Sequence, residues 1–167
     1  MNRTKQALLA SLIASAVLTP FAANAAPADD AQIKALEESF AAAVRAKDVN
    51  AIMKAYAPNV LVFDVTPPRQ YAGAAAYRED WKGFVAGYPG PIKFEISDLV
   101  VSTEGSFGYS HSIQHVTGTD AKGGAADITV RVTDVYRKVR GAWLIVHEHV
   151  SVPVDLNTGK ADVTSKP

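Results

Sequence analysis

Residues 126–138 read A-D-I-T-V-R-V-T-D-V-Y-R-K, and this stretch decides the fold. Alternation with period two puts Ile128, Val130, Val132 and Tyr136 on one face and Thr129, Arg131, Thr133 and Arg137 on the other. That pattern predicts a β-strand half buried against a core. Asp134 falls on the apolar side. A carboxylate facing a core must be paired, hydrogen-bonded or protonated, so Asp134 either ties the fold together or carries chemistry.

The next strand pattern, over 142–154, follows at once, and the turn between the two fixes what Asp134 meets. A two-residue loop at Arg140-Gly141 would pair Asp134 with His147. A three-residue loop, Val139-Arg140-Gly141, would set it across from Val146 and near Glu148, with the opposite face inward. A type I′ turn wants positive φ at both central positions, which arginine resists. The three-residue loop needs only one left-handed residue, and Gly141 can be it, so that loop is expected. It places Leu144, Val146, Glu148 and Val150 with the apolar face and Trp143, Ile145, His147, His149 and Ser151 on the other.

Two further strand patterns precede this hairpin, over 92–101 and 107–117, separated by glycine-containing turns. On the second, Tyr109, His111, Ile113 and His115 share a face with Phe107, so two imidazoles are expected to line the interior. Earlier still, Ile33, Leu36, Phe40 and Val44 recur at helical spacing across 30–46, and Asp48 reads as the N-cap of a short second helix that Pro58-Asn59 stops. Val60-Leu61-Val62-Phe63 then reads as a buried strand ending at Asp64, before a turn at Thr66-Pro67-Pro68. After Gly73 a third helix sets Tyr77, Trp81, Phe84 and Tyr88 on one stripe. Helices first and strands second indicate an α+β domain: a cone-shaped, curved antiparallel sheet with three N-terminal helices packed on its concave face and a cavity between the layers.

The chain of 167 residues has no cysteine, so its core holds without disulfides. Arg3 and Lys5 precede an apolar run, and Ala23-Asn24-Ala25 supplies a small-x-small cleavage pattern. The expected organisation is a signal peptide over 1–25, a short leader over 26–30, one domain over 31–155 and a polar tail over 156–167. Cleavage near Ala25 would place the mature protein in the periplasm or outside the cell. It would leave fifteen Lys and Arg against seventeen Asp and Glu. No basic run stands out, which argues against nucleic acid and anionic membrane surfaces as partners. No later segment is long and apolar enough to span a bilayer.

Tyr56-Ala57, Val62-Phe63-Asp64, Tyr71-Ala72-Gly73, Thr133 to Lys138, and Trp143-Leu144-Ile145-Val146-His147-Glu148-His149, in this order and spacing, resemble the SnoaL-like and ketosteroid-isomerase-like proteins of the nuclear transport factor 2-like superfamily. The resemblance implies that Asp64, at the end of the first strand, falls where ketosteroid isomerases hold their general base. It implies that Asp134 falls where they hold the protonated acid of an oxyanion hole, a carboxylic acid kept neutral by its apolar site that is itself a standard example of such tuning. The tyrosine that partners that acid falls on Phe40, which has no proton to donate, so ketosteroid isomerisation is not expected.

The candidate catalytic residues are therefore Asp64, Asp134 and His111, with Phe40, Tyr56, Tyr77, Trp81, Tyr109, His115 and Glu148 as pocket residues. Each has a plainer reading. Asp64 can be an Asx turn before Thr66-Pro67-Pro68, Asp134 a structural pair, the histidines satisfied core residues, and Tyr77 and Trp81 core wall. Glu148, if inward, would add a second acid near Asp134 and push one carboxyl upward. His147 and His149 could hold zinc with His111 or His115, but no further ligand stands at tight spacing, so no metal is expected. No phosphate loop or nucleophile elbow occurs, and no cofactor is expected. The expected function is binding of a small, largely apolar molecule with cofactor-free proton transfer of the isomerase, dehydratase or cyclase type. The alternative is a non-catalytic ligand-binding or assembly module on the same scaffold. A homodimer through the outer sheet face is expected in either case.

Overall fold

The computed structural model of the chain describes residues 28–165; the expected signal peptide lies outside the described residues. Helix α1 (Asp29–Ala46) carries Asp29 and Asp30 in its first turn and Arg45 in its last, matching the helix dipole at both ends. It ends at Lys47, whose φ of 57° turns the chain into Asp48. Asp48 caps the short helix α2 (Val49–Ile52) by accepting from the Ala51 N–H at 3.0 Å, and a single 3₁₀ turn, Met53–Ala55, follows.

Strand β1 (Tyr56–Phe63) begins earlier than the sequence suggests. Pro58-Asn59 does not stop the helix, which has already ended before Tyr56. It sits inside the strand as an exposed irregularity, because Tyr56 pairs with Ile145 while Leu61 already pairs with His147. A proline has no N–H to give a ladder, and the bulge takes it out of one. After the two-residue strand β2 (Tyr71–Ala72), helix α3 (Ala74–Ala86) starts at Gly73, whose φ of 89° is open to glycine at little cost. Then come β3 (Lys93–Glu104), β4 (Phe107–Thr119), β5 (Ala125–Val139) and β6 (Ala142–Ser151).

The six strands lie in the order β2-β1-β6-β5-β4-β3, antiparallel except that β1 runs parallel to β6. The sheet is curved and open, and α1 and α3 pack on its inner face. Ile33, Phe40, Val44, Tyr77 and Trp81 meet Val62, Phe94, Val116, Tyr136, Trp143 and Ile145 in one core. Beyond β6 the chain folds back, with Val154 bridging Ala161 and the Thr129 N–H donating to the Val163 carbonyl at 2.7 Å.

Two expectations about strand faces are corrected. On β4 the inward residues are Gly108, Ser110, Ser112, Gln114 and Val116, whereas Tyr109 and His111 are exposed and His115 points outward with them. Space decides this. A Cβ at Gly108 would stand 3.0 Å from Ile33 of α1, and one at Gly118 would stand 2.9 Å from the Tyr88 ring. Only glycine fits at these two points beneath the helices, and that fixes which face of β4 is inward.

The β5–β6 turn is the two-residue Arg140-Gly141 loop, with Val139 paired to Ala142 and φ of 52° and 86° at the two central residues. Arginine accepts the left-handed conformation here. A bulge between Val135 and Tyr136 on the β5 side then leaves Val146 as an extra residue on β6. Trp143 and Ile145 therefore point inward before the bulge and Glu148 after it, a combination that neither regular register provides.

Candidate functional site

Between α3, the end of β1 and the inner face of β4 to β6 lies a cavity of about 600 Å³. Its helix side is aromatic, because the α3 stripe stacks edge to face: Tyr77 on Trp81 at 5.9 Å and Trp81 on Phe84 at 5.3 Å between ring centroids. Phe40 completes that wall from α1, with ring centroids 5.5 Å from Trp81, 5.9 Å from Phe94 and 6.1 Å from Tyr56. A ring so placed contributes surface and no proton.

Two acids that face this cavity share one phenol. Tyr77 donates to Glu148 Oε1 at 2.5 Å, and the same hydroxyl lies 3.3 Å from Asp64 Oδ2. A phenol has a single proton, so while it goes to Glu148 the Asp64 side must supply its own proton or accept a bare contact. Tyr56 donates to the other oxygen, Glu148 Oε2, at 2.8 Å. Asp64 makes the Asx turn and also faces the cavity. Its Oδ1 accepts from the Val65 N–H at 2.5 Å and the Thr66 N–H at 3.4 Å as an Asx turn, while Oδ2 faces Tyr77 and the cavity.

Behind Glu148 lies a second layer of acid. Asp134 pairs directly with Glu148 across the β5–β6 ladder and with Ser110 across β4–β5, and its Oδ1 has no hydrogen-bond partner. Glu37 of α1 is buried beside it, accepting from Tyr136 at 2.7 Å, whose hydroxyl also meets Ser110 Oγ at 2.8 Å. Burial, then the charges of Glu148 and Glu37, push the Asp134 carboxyl well up. Burial also raises Glu37, against the opposing Tyr136 hydrogen bond. Glu148 is raised from 4.5 to about 7 by burial, with the hydrogen bonds of Tyr77 and Tyr56 holding it down. Burial, then Asp80, raises Asp64. Tyr56 and Tyr77 are pushed up by burial and by Glu148, so both stay protonated donors.

The structure thus brings together Asp64, Glu148, Phe40, Tyr77 and Trp81 at the cavity, with Tyr56 and Asp134 buried behind Glu148 rather than on the cavity wall. It does not bring His111, Tyr109 or His115 there. His115 instead meets Asp127 Oδ1 at 2.7 Å on the outer side. Glu37 escaped the sequence reading although its signal was present: it stands one turn from Ile33 and two from Val44 on the same apolar stripe.

The three helices and the curved, open sheet define a nuclear transport factor 2-like α+β fold. Within it, the model of the SnoaL-like domain matches residues 33–155, and the chain belongs to that family. Among solved structures, a nuclear transport factor 2-like protein of unknown function from Pseudomonas putida is 31% identical, with a TM-score of 0.77 over 85% of this chain and 99% of that one. A ketosteroid isomerase-like protein from Erwinia carotovora is 19% identical, with a TM-score of 0.64 over 75% of this chain and 96% of that one. A candidate dehydratase of the same fold from Streptomyces avermitilis is 17% identical, with a TM-score of 0.62 over 72% and 93%. These last two share the fold alone. No curated protein sequence matches the chain.

Proposed function

We propose that this chain binds a small, largely apolar molecule in the aromatic cavity and moves a proton on it without a cofactor, in the manner of an isomerase, dehydratase or cyclase. The observation that carries the reading is the pair of acids, Asp64 and Glu148, on one cavity wall with the Tyr77 hydroxyl between them. Asp64, ionised, takes a proton from the ligand. Glu148, protonated, gives one to the oxygen where charge develops or leaves. A carboxyl near 7 is present in both forms at neutral pH, which suits an acid that must be recharged each cycle. Asp134 and Glu37 touch no ligand in this scheme; burial, then the charges of Asp64 and Glu37, favour the protonated form of Glu148.

The alternative is a binding or assembly module without turnover. Phe40, a ring with no donor where the resembling isomerases carry a tyrosine, favours it. In either case we propose a homodimer through the outer sheet face, where Val100 and Tyr109 are nearly half exposed beside the four histidines.

Native mass spectrometry of the purified protein identifies small molecules that the cavity retains. Incubation of such a molecule with wild type and with Asp64→Asn then separates the two readings. Asn keeps the Asx-turn acceptor, so folding and affinity should persist while turnover falls by ~10²- to 10⁴-fold. Turnover that survives the substitution would remove Asp64 as the base.

A further inference from the structure

The charged groups on the cavity wall are all of one sign. Asp64, Glu79, Asp80, Asp120 and Glu148 line it, and among the described residues no Lys, Arg or His does. Basic side chains on or against α3 are engaged away from Asp64 and Asp80, one of them on the wall acid Glu79. Lys82 pairs with Glu79 at 2.8 Å, Arg78 donates to Asn50 Oδ1 at 2.7 Å, and Lys47 donates to the carbonyls of Tyr88 and Gly90. Asp64 and Asp80 draw only on neutral donors: the backbone N–H groups after Asp64, and the Tyr71 hydroxyl, which reaches Asp80 Oδ1 at 2.6 Å. Their mutual repulsion is felt, since the charge of Asp80 adds to burial in raising Asp64.

Each class of ligand fares differently in such a space. An anion would meet like charge, and a neutral molecule would leave the two aspartates repelling each other. A cation would relieve that repulsion, and the rings of Phe40, Trp81 and Phe84, which line the cavity, can attract positive charge.

We infer that the cavity is built for an organic cation, an amine or quaternary ammonium on an apolar body, with its charge held at Asp80 and Asp64 and its body against the aromatic wall. This rests on the cavity being the ligand site.

Calorimetric titration of the purified protein at pH 7 with phenylbutylamine, phenylbutanol and phenylbutanoate, three probes of one shape and three charges, tests it. The amine should bind about tenfold or more tightly than the alcohol at low salt, and the carboxylate more weakly than both. Asp80→Asn keeps an acceptor for Tyr71 and should bring the amine down to the affinity of the alcohol. An alcohol that matches the amine, or a carboxylate that binds as well as either, would overturn the cation preference while leaving the cavity as a ligand site. Binding by none of the three would overturn both.

Discussion

Asp134 and Glu148 stand directly opposite each other on β5 and β6, because the extra residue Val146 shifts the ladder by one. Without that bulge the two-residue turn would have set Asp134 against His147. Two buried carboxyls in register, with Glu37 close by, cannot all ionise, and this shapes how the fold responds to pH.

Stability should fall as pH rises through neutrality. Glu148 moves from 4.5 in the unfolded chain to about 7 in the folded one, so the folded state binds its proton more tightly. The stability this adds is full below 4.5 and is lost as pH climbs through about 7. Asp134 and Glu37 shift in the same direction and extend the loss. Urea midpoints measured from pH 4 to pH 9 should therefore decline across the neutral range, and Glu148→Gln should flatten that decline. A wild-type profile that rises through neutrality would contradict the buried-acid account.

Much of the fold could be read from residue patterns, because it rests on local periodicity. The three helices, the four long strands and the inward placement of Asp134 all follow from spacings of 2 or 3.6 residues. What escaped depends on contacts between distant segments. The inner face of β4 is set by Ile33 and Tyr88 pressing on Gly108 and Gly118, which alternation along β4 cannot reveal. Glu148 faces inward because of the bulge at Val146, whereas the sequence pattern makes its direction depend on the length of the turn. At the site, Asp64, Phe40, Tyr77 and Trp81 were legible from strand end and helix stripe. The sharing of Tyr77 between two acids was not, because one of them, Glu148, lies 71 positions away.

Catalysis, if Asp64 and Glu148 divide the work, should have a bell-shaped dependence on pH. The acid limb reports Asp64, which must be ionised and whose carboxyl is raised above 3.8. The alkaline limb reports Glu148, which must be protonated, and falls near 7. Tyr77→Phe removes the largest influence holding Glu148 down, so the alkaline limb should move to higher pH while the rate drops about tenfold from lost positioning. A lower rate with an unmoved limb would mean that Tyr77 is only part of the wall.

Self-association has its own test, independent of the cavity. Tyr109 and Val100 lie on neighbouring strands of the outer face, each more than 40% exposed. Sedimentation of the wild type should give the mass of two chains, and Tyr109→Lys should give one, with ligand affinity unchanged because Tyr109 is far from the cavity wall. A monomeric wild type at micromolar concentration would end the dimer proposal.

Ketosteroids offer the sharpest check on how far the resemblance extends. Phe40 is 4% exposed and packed edge-on against Tyr56, Trp81 and Phe94, and its own ring has no hydroxyl to donate at that point. Loss of one oxyanion-hole donor costs ~10²- to 10³-fold in rate. Asp134, the acid that would complete such a hole, lies behind Glu148 and off the cavity wall. A Δ5-3-ketosteroid incubated with the wild type should therefore show no double-bond shift by ultraviolet absorbance. Phe40→Tyr should restore a donor and raise any slow background. Rapid isomerisation by the wild type would mean that Tyr77 or Tyr56, acting through Glu148, replaces the missing tyrosine, and Tyr77→Phe would then abolish it.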